Sequence, residues 1–265
     1  MLGDNRLPIM VVSHERSGTH FMMNTLAKCF DYVSDPWLDL DMHHFNINYY
    51  HSESLRTLIL EVAEWRAANI LKSHHEFAFF RDISAAFEGV IHIIYIYRNP
   101  ADVMASYWRF LHTWDWMEGP KTNTVFAFAT TPPMGGIMRL QFRQYDTMLD
   151  RWANHVRYWV QASLQSTNIH LVKYENLALH YEDAVRALGG ALGFEPRRIE
   201  RPARDQHVVQ AGNVNFAPTP GSDNREAVTA LAMSKFPDLM ARLGYNQSVD
   251  RIDNLPRPSI RRRSR

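Results

Sequence analysis

Short β-branched runs, each ended by polar residues, alternate along this chain with longer stripes of apolar residues at helical spacing. That alternation constrains the fold more than any other feature. It predicts a parallel sheet with helices on both faces, because parallel strands need a long crossover between them. The clearest strand is GVIHIIYIYRNP (Gly89 to Pro100), β-branched and aromatic and closed by Asn-Pro. Pro8 to Val12, Ala68 to His75 and Asn168 to Leu177 read as three more. Helices are expected over Thr19 to Phe30, Ser54 to Trp65, Phe77 to Phe87, Asn99 to about His112, Tyr145 to Leu164 and Tyr181 to Leu192. A last one runs from Glu226 to Leu243, with a break at Pro237. Ser34 to His51 reads as irregular and His-rich, and Thr113 to Gln141 as an insertion or lid. The expected architecture is a single three-layer α/β domain over residues 1–245, with about four to five strands. A polar, basic tail fills 246–265.

Ligands of such sheets gather at the carboxyl ends of the strands. Three strands end there in polar groups: Ser13-His14-Glu15-Arg16, Lys72-Ser73-His74-His75 and Arg98-Asn99. The first belongs to SHERSGTHF (Ser13 to Phe21), which has the build of a phosphate loop of the P-loop type. A strand-to-helix turn aims free backbone N–H groups at the loop, and the helix start adds partial positive charge. Gly18 lets the backbone come close, Thr19 offers a hydroxyl and Arg16 a planar cation. The loop lacks the Gly-Lys pair of the Mg-dependent triphosphate loop. A kinase acting on ATP is therefore the rival reading, as is a non-catalytic nucleotide binder.

ERSGTHF together with IIYIYRNPADVMASYW resembles the sulfotransferases that use 3′-phosphoadenosine-5′-phosphosulfate (PAPS). Their second motif is matched at Tyr95, Arg98, Asn99, Asp102, Val103, Ser106 and Tyr107. The resemblance runs from about Ile9 to Leu243. It implies a PAPS-dependent O-sulfotransferase with a small-molecule, lipid or carbohydrate hydroxyl as acceptor. It implies that Arg16, Ser17, Gly18, Thr19 and His20 cradle the 5′-phosphosulfate, and that Arg98 and Ser106 take the 3′-phosphate. It places Phe21 against the adenine, although an aromatic there also suits the core, and Tyr174 of LVKYENL nearby. RWANHVRYW resembles a family helix in which Trp152, His155 and Trp159 read as structural.

Sulfuryl transfer needs a base for the acceptor proton and cations for the developing charge. The group moved carries less charge than a phosphoryl group, so no metal is expected. In ILKSHH, alternate residues share a strand face, which sets Lys72 and His74 about 7 Å apart on one side, as a catalytic cation and a base flanking one transfer centre. The resemblance also points to His74 as the catalytic base, since KSH matches the family's Lys-Thr-His. It places Arg16 between the 5′-phosphate and the leaving oxygen. The C-terminal family segment that wraps the 3′-phosphate has no match: Gly221 fits, Asp223 does not, and Arg204 and Arg225 are weak substitutes. A short dimerisation motif is missing as well, though a homo-oligomer is compatible with the sequence.

Composition narrows the partners. Formal net charge is +1, and the last nine residues hold five Arg and no acid, so the remainder carries −4. A body of that charge is not the footprint of a nucleic-acid binder. One cysteine, Cys29, allows no internal disulfide and suits a reducing compartment. No basic start precedes a long apolar run, and no stretch approaches the ~20 apolar residues of a membrane span. The expectation is a cytoplasmic protein. DMHHFNINYY and FLHTWDWMEG, with His43, His44, Tyr49, Trp114 and Trp116, are expected to line the acceptor side.

Overall fold

The computed structural model describes residues 6–41, 51–64, 69–113, 119–203 and 224–245. Five parallel strands form one sheet: β1 (Ile9–Val12), β2 (Val33–Asp39), β3 (Asn69–Ser73), β4 (His92–Tyr97) and β5 (Ile169–Lys173), in the order β2-β3-β1-β4-β5. In the register of the centre, Val12 pairs with Ser73 on one side and Tyr95 on the other. Strands β1 and β3 therefore end level, β4 runs two residues further, and the polar tips of all three lie at the carboxyl end of the sheet.

Helices cover both faces. Ile9, Val11, Ile70, Ile94 and Ile96 point into one apolar layer, closed by α1 (Thr19–Phe30) and α7 (Tyr181–Leu192). Met10, Val12, Leu71, Ile93 and Tyr95 point into the other. That layer is closed by α2 (Ser52–Glu64), α3 (Pro100–Thr113), α4 (Val125–Thr130), α5 (Met148–Ser163), α8 (Arg225–Lys235) and α9 (Pro237–Arg242). Successive strand residues thus serve opposite layers, as the pleat requires. The near-continuous apolar runs of β1 and β4 follow from burial on both faces.

Several expectations needed correction. Ser34 to His51 is not wholly irregular: β2 runs through its start, at the sheet edge, with its register to β3 shifting between Val33 and Leu38; edge strands and bulges are where a sheet tolerates proline. Phe77 to Phe87 is not one helix but two 3-10 turns, Phe77–Phe79 and Ser84–Phe87. Strand β5 stops at Lys173, and a short helix α6 (Tyr174–Leu179) starts at Tyr174 instead of continuing the strand to Leu177. The described part of Thr113 to Gln141 buries Val125, Phe128, Ala129, Ile137 and Leu140, so it belongs to the packed body.

Candidate active site

The loop from Ser13 to Gly18 joins the central strand to α1. Two of its residues take left-handed backbone: Arg16 at φ 67° and Gly18 at φ 105°. A side chain at Gly18 would be strained by that φ. It would also collide, since a Cβ there would lie 2.4 Å from Tyr174 Cδ2. Tyr174, held at the start of α6, thus forms the wall against which the loop closes.

Two guanidinium groups meet over this loop. Arg98, just past β4, places Cζ 4.4 Å from the centre of the Tyr174 ring, and its Nη1 donates to the Arg16 carbonyl at 3.5 Å. Arg16 Nε donates to Ser106 Oγ at 3.3 Å, and its Cζ lies 4.8 Å above Phe110. Burial, then the charge of Arg98, lowers the Arg16 pKa to about 10. Two like charges held together are costly unless an anion belongs between them. Arg98 Nε and Ser17 Oγ are buried and have no hydrogen-bond partner among the described residues. Orphaned donors of that kind are rare in a finished interior. The donor set, the glycine approach and the helix start therefore fit a bound phosphate or sulfate ester.

Phe21, on the first turn of α1, is half-buried and lies edge-on to Tyr174 at 6.1 Å and beside Tyr181 at 6.0 Å. Arg201 Cζ lies 5.6 Å from its ring. His20 is exposed, with its ring 6.0 Å from that of Trp37. Thr19 is buried, its hydroxyl 2.6 Å from Ser13 Oγ.

His74 lies just past the end of β3 and is fastened at three atoms. Its Nδ1 donates to the Ser13 carbonyl at 2.8 Å. Its backbone N–H donates to Asp41 Oδ1 at 2.7 Å, and its carbonyl accepts from His155 Nε2 at 3.1 Å. Because a carbonyl only accepts, Nδ1 carries the hydrogen and Nε2 keeps the lone pair in the neutral ring. Burial, then Lys72, lowers the His74 pKa, while Asp41 and Glu15 work the other way. The ring is therefore neutral, with its basic nitrogen in a fixed place beside the loop.

Lys72 is buried and turned to carboxylates. Its Nζ donates to Asp41 Oδ2 at 2.6 Å and to both oxygens of Asp39 at 3.2 Å. Burial opposes its charge, but the two carboxylates outweigh that and raise its pKa. Lys72, His74 and His75 all come within 4 Å of Asp41, at 2.6, 3.8 and 3.3 Å.

Sequence reasoning missed Asp39 and Asp41, which belong to the period-two pattern Trp37-Leu38-Asp39-Leu40-Asp41. It also missed the support beneath the loop. Arg151, on α5 and fully buried, holds Glu15 through two bonds of 2.8 Å. Tyr107 donates to Glu15 as well, and Arg151 Nη1 donates to His14 Nε2 at 2.9 Å. Burial lowers the His14 pKa to about 4, partly offset by Glu15. Arg225 is placed near the loop: it shares Asp102 with Arg98, at 3.3 and 4.0 Å. The residues His43, His44, Tyr49, Trp114, Trp116, Arg204, Gly221 and Asp223 lie outside the described residues, as does the basic tail.

A parallel sheet whose central strand feeds a glycine-containing turn and a helix, with two arginines and a histidine around the turn, is a P-loop-like fold. Residues 7–204 match the family model of the sulfotransferase domain, and the chain belongs to that family. Its fold is similar to that of the mouse sulfotransferase SULT7A1 complexed with PAP, at 16% identity and TM-score 0.54, over 90% of this chain and 87% of that one. It is also similar to a sulfotransferase from Alicyclobacillus acidocaldarius, at 15% identity and TM-score 0.55, over 91% and 97% of the two chains. No curated protein matches the chain. No described helix is long and apolar enough to cross a membrane.

Proposed function

We propose that the protein is an O-sulfotransferase that takes its sulfuryl group from PAPS and delivers it to a hydroxyl of a small-molecule or carbohydrate acceptor. The observation that carries this reading is the placement of His74: its Nδ1 hydrogen is fixed on the first residue of the anion loop, which leaves Nε2 as a base beside that loop. The backbone from Arg16 to Thr19, with Ser17 Oγ and Arg16, would hold the 5′-phosphosulfate. Arg98 and Ser106 would take the 3′-phosphate, and Tyr174 with Phe21 would flank the adenine. PAPS, when bound, would supply an activated sulfuryl group, whose sulfur would pass from the phosphate oxygen to the acceptor oxygen with the electron pair left on the phosphate.

This chain's residues do the rest. Arg16 offers charge-assisted hydrogen bonds to the oxygens on which negative charge grows. His74 Nε2 takes the acceptor proton, which suits an imidazole kept neutral at physiological pH. Lys72 acts from behind, as part of the buried charge set that fixes the strand end. The test is an acceptor screen with sulfur-labelled PAPS on the wild type and on His74→Ala. The wild type should sulfate at least one class of hydroxyl compound, and His74→Ala should lose about 100-fold or more in rate, in line with removal of a general base. Unchanged sulfation by His74→Ala would overturn the base assignment.

A further inference from the structure

We propose that Asp41 is the positioning residue of the proton-transfer step, holding His74 by its backbone and stabilising the imidazolium that forms when Nε2 takes the acceptor proton. The inference rests on the sulfuryl-transfer reading above.

Asp41 follows β2 and is buried. Its two oxygens serve three neighbours. Oδ1 accepts the His74 backbone N–H at 2.7 Å and lies 3.3 Å from His75 Nδ1. Oδ2 accepts from Lys72 at 2.6 Å and lies 3.8 Å from His74 Nε2. That last distance is too long for a hydrogen bond. It is short for two charges in a buried setting, where Coulomb terms are far larger than in water. The neutral ring is thus free to meet an acceptor hydroxyl, and the protonated ring gains a carboxylate.

The other charges around the ring show why a carboxylate is needed. Lys72 opposes a proton on His74, and Glu15 favours one. His14, in the loop itself, is close enough to feel the charge of His74 and is held neutral by burial. His155 donates to the His74 carbonyl and leaves the ring alone. Lys72 could have been neutralised by Asp39 alone, which offers it both oxygens. Asp41 is the carboxylate that reaches past Lys72 to the ring. The proton's path is complete: it leaves the acceptor oxygen, arrives on Nε2, and is later released to solvent.

The test is nitrogen-detected NMR of imidazole-labelled protein, which needs no acceptor. Wild-type His74 should show the Nδ1–H tautomer. Asp41→Asn keeps an acceptor for the backbone N–H but removes the charge. It should lower the His74 titration midpoint by about one pH unit, a roughly tenfold loss of proton affinity. Asp39→Asn should shift it by less than half as much, and Asp41→Glu should restore most of it. An Nε2–H tautomer in the wild type overturns the inference even if Asp41→Asn fails to fold. So does an unmoved midpoint in Asp41→Asn. Calorimetric titration of the same samples with adenosine 3′,5′-bisphosphate (PAP) separates the two readings. No PAP binding by the wild type overturns the sulfuryl-transfer reading and this inference with it. PAP binding with an unmoved midpoint overturns this inference alone.

Discussion

Gly18 is the residue on which the anion loop turns. Its φ of 105° and the 2.4 Å approach of Tyr174 leave no space for a methyl group. Gly18→Ala should cost about 1–3 kcal/mol of stability through backbone strain, and it should weaken PAP binding at least tenfold as the loop shifts. Thermal unfolding and calorimetry check the two together; wild-type PAP affinity in Gly18→Ala would show that the loop does not hold the anion. Gly18, Arg16 and Arg98 were legible in the sequence because a strand, a turn and a helix follow one another around them. Asp41 was not. The nearby His43 and His44 give the segment an irregular, His-rich character that masks the alternation of Leu38 and Leu40 with Asp39 and Asp41.

Helix α5 supports the loop from below. Its buried stripe of Met148, Trp152, His155, Val156 and Trp159 was visible in the sequence, but the same stripe also contains Arg151. A buried arginine at a core position signals a carboxylate across the interface, and here that partner is Glu15 of the loop. Burial pushes the Glu15 carboxyl up, but Arg151 outweighs it and holds the pKa far below the usual range. Removing one partner leaves the other charged and buried. Glu15→Gln should therefore destabilise by about 3–5 kcal/mol, while Glu15→Gln with Arg151→Met should cost clearly less than the sum of the two single changes. Denaturant unfolding of the three variants measures this; strict additivity would mean that the pair does not act as a unit. Strand β2 was hidden for a related reason. A proline inside a candidate strand argues against it, unless the strand lies at an edge, and only the assembled sheet shows that it does.

At the scale of the whole molecule, the parallel sheet brings the ends of β1, β3 and β4 to one edge, and this convergence was readable from the alternation of strands and helices. Which buried groups stabilise that edge was not, since they come from β2 and α5. Their titration makes stability depend on pH. His14, His92 and His155 are kept below the usual imidazole value by burial. Below pH ~6.5 the unfolded chain therefore binds protons that the folded chain refuses. Arg151 and Lys72 hold Glu15 and Asp41 below the usual carboxylate value, against the effect of burial, which adds the same trend below pH ~4. Glu76, raised by burial, opposes it. The melting temperature should fall steadily from pH 7 to pH 4; a flat or rising profile over that range would contradict the assignment of these groups.

The central claim is that the loop from Ser13 to Thr19, with Arg98 and Ser106, is built for an adenosine bisphosphate rather than a magnesium-bound triphosphate. Calorimetric titration of the full-length protein with PAP and, separately, with ATP–Mg tests it most directly. The structure predicts PAP binding that is at least about 100-fold tighter than ATP–Mg, a difference of about 2.7 kcal/mol. Tight ATP–Mg binding without PAP binding would contradict it.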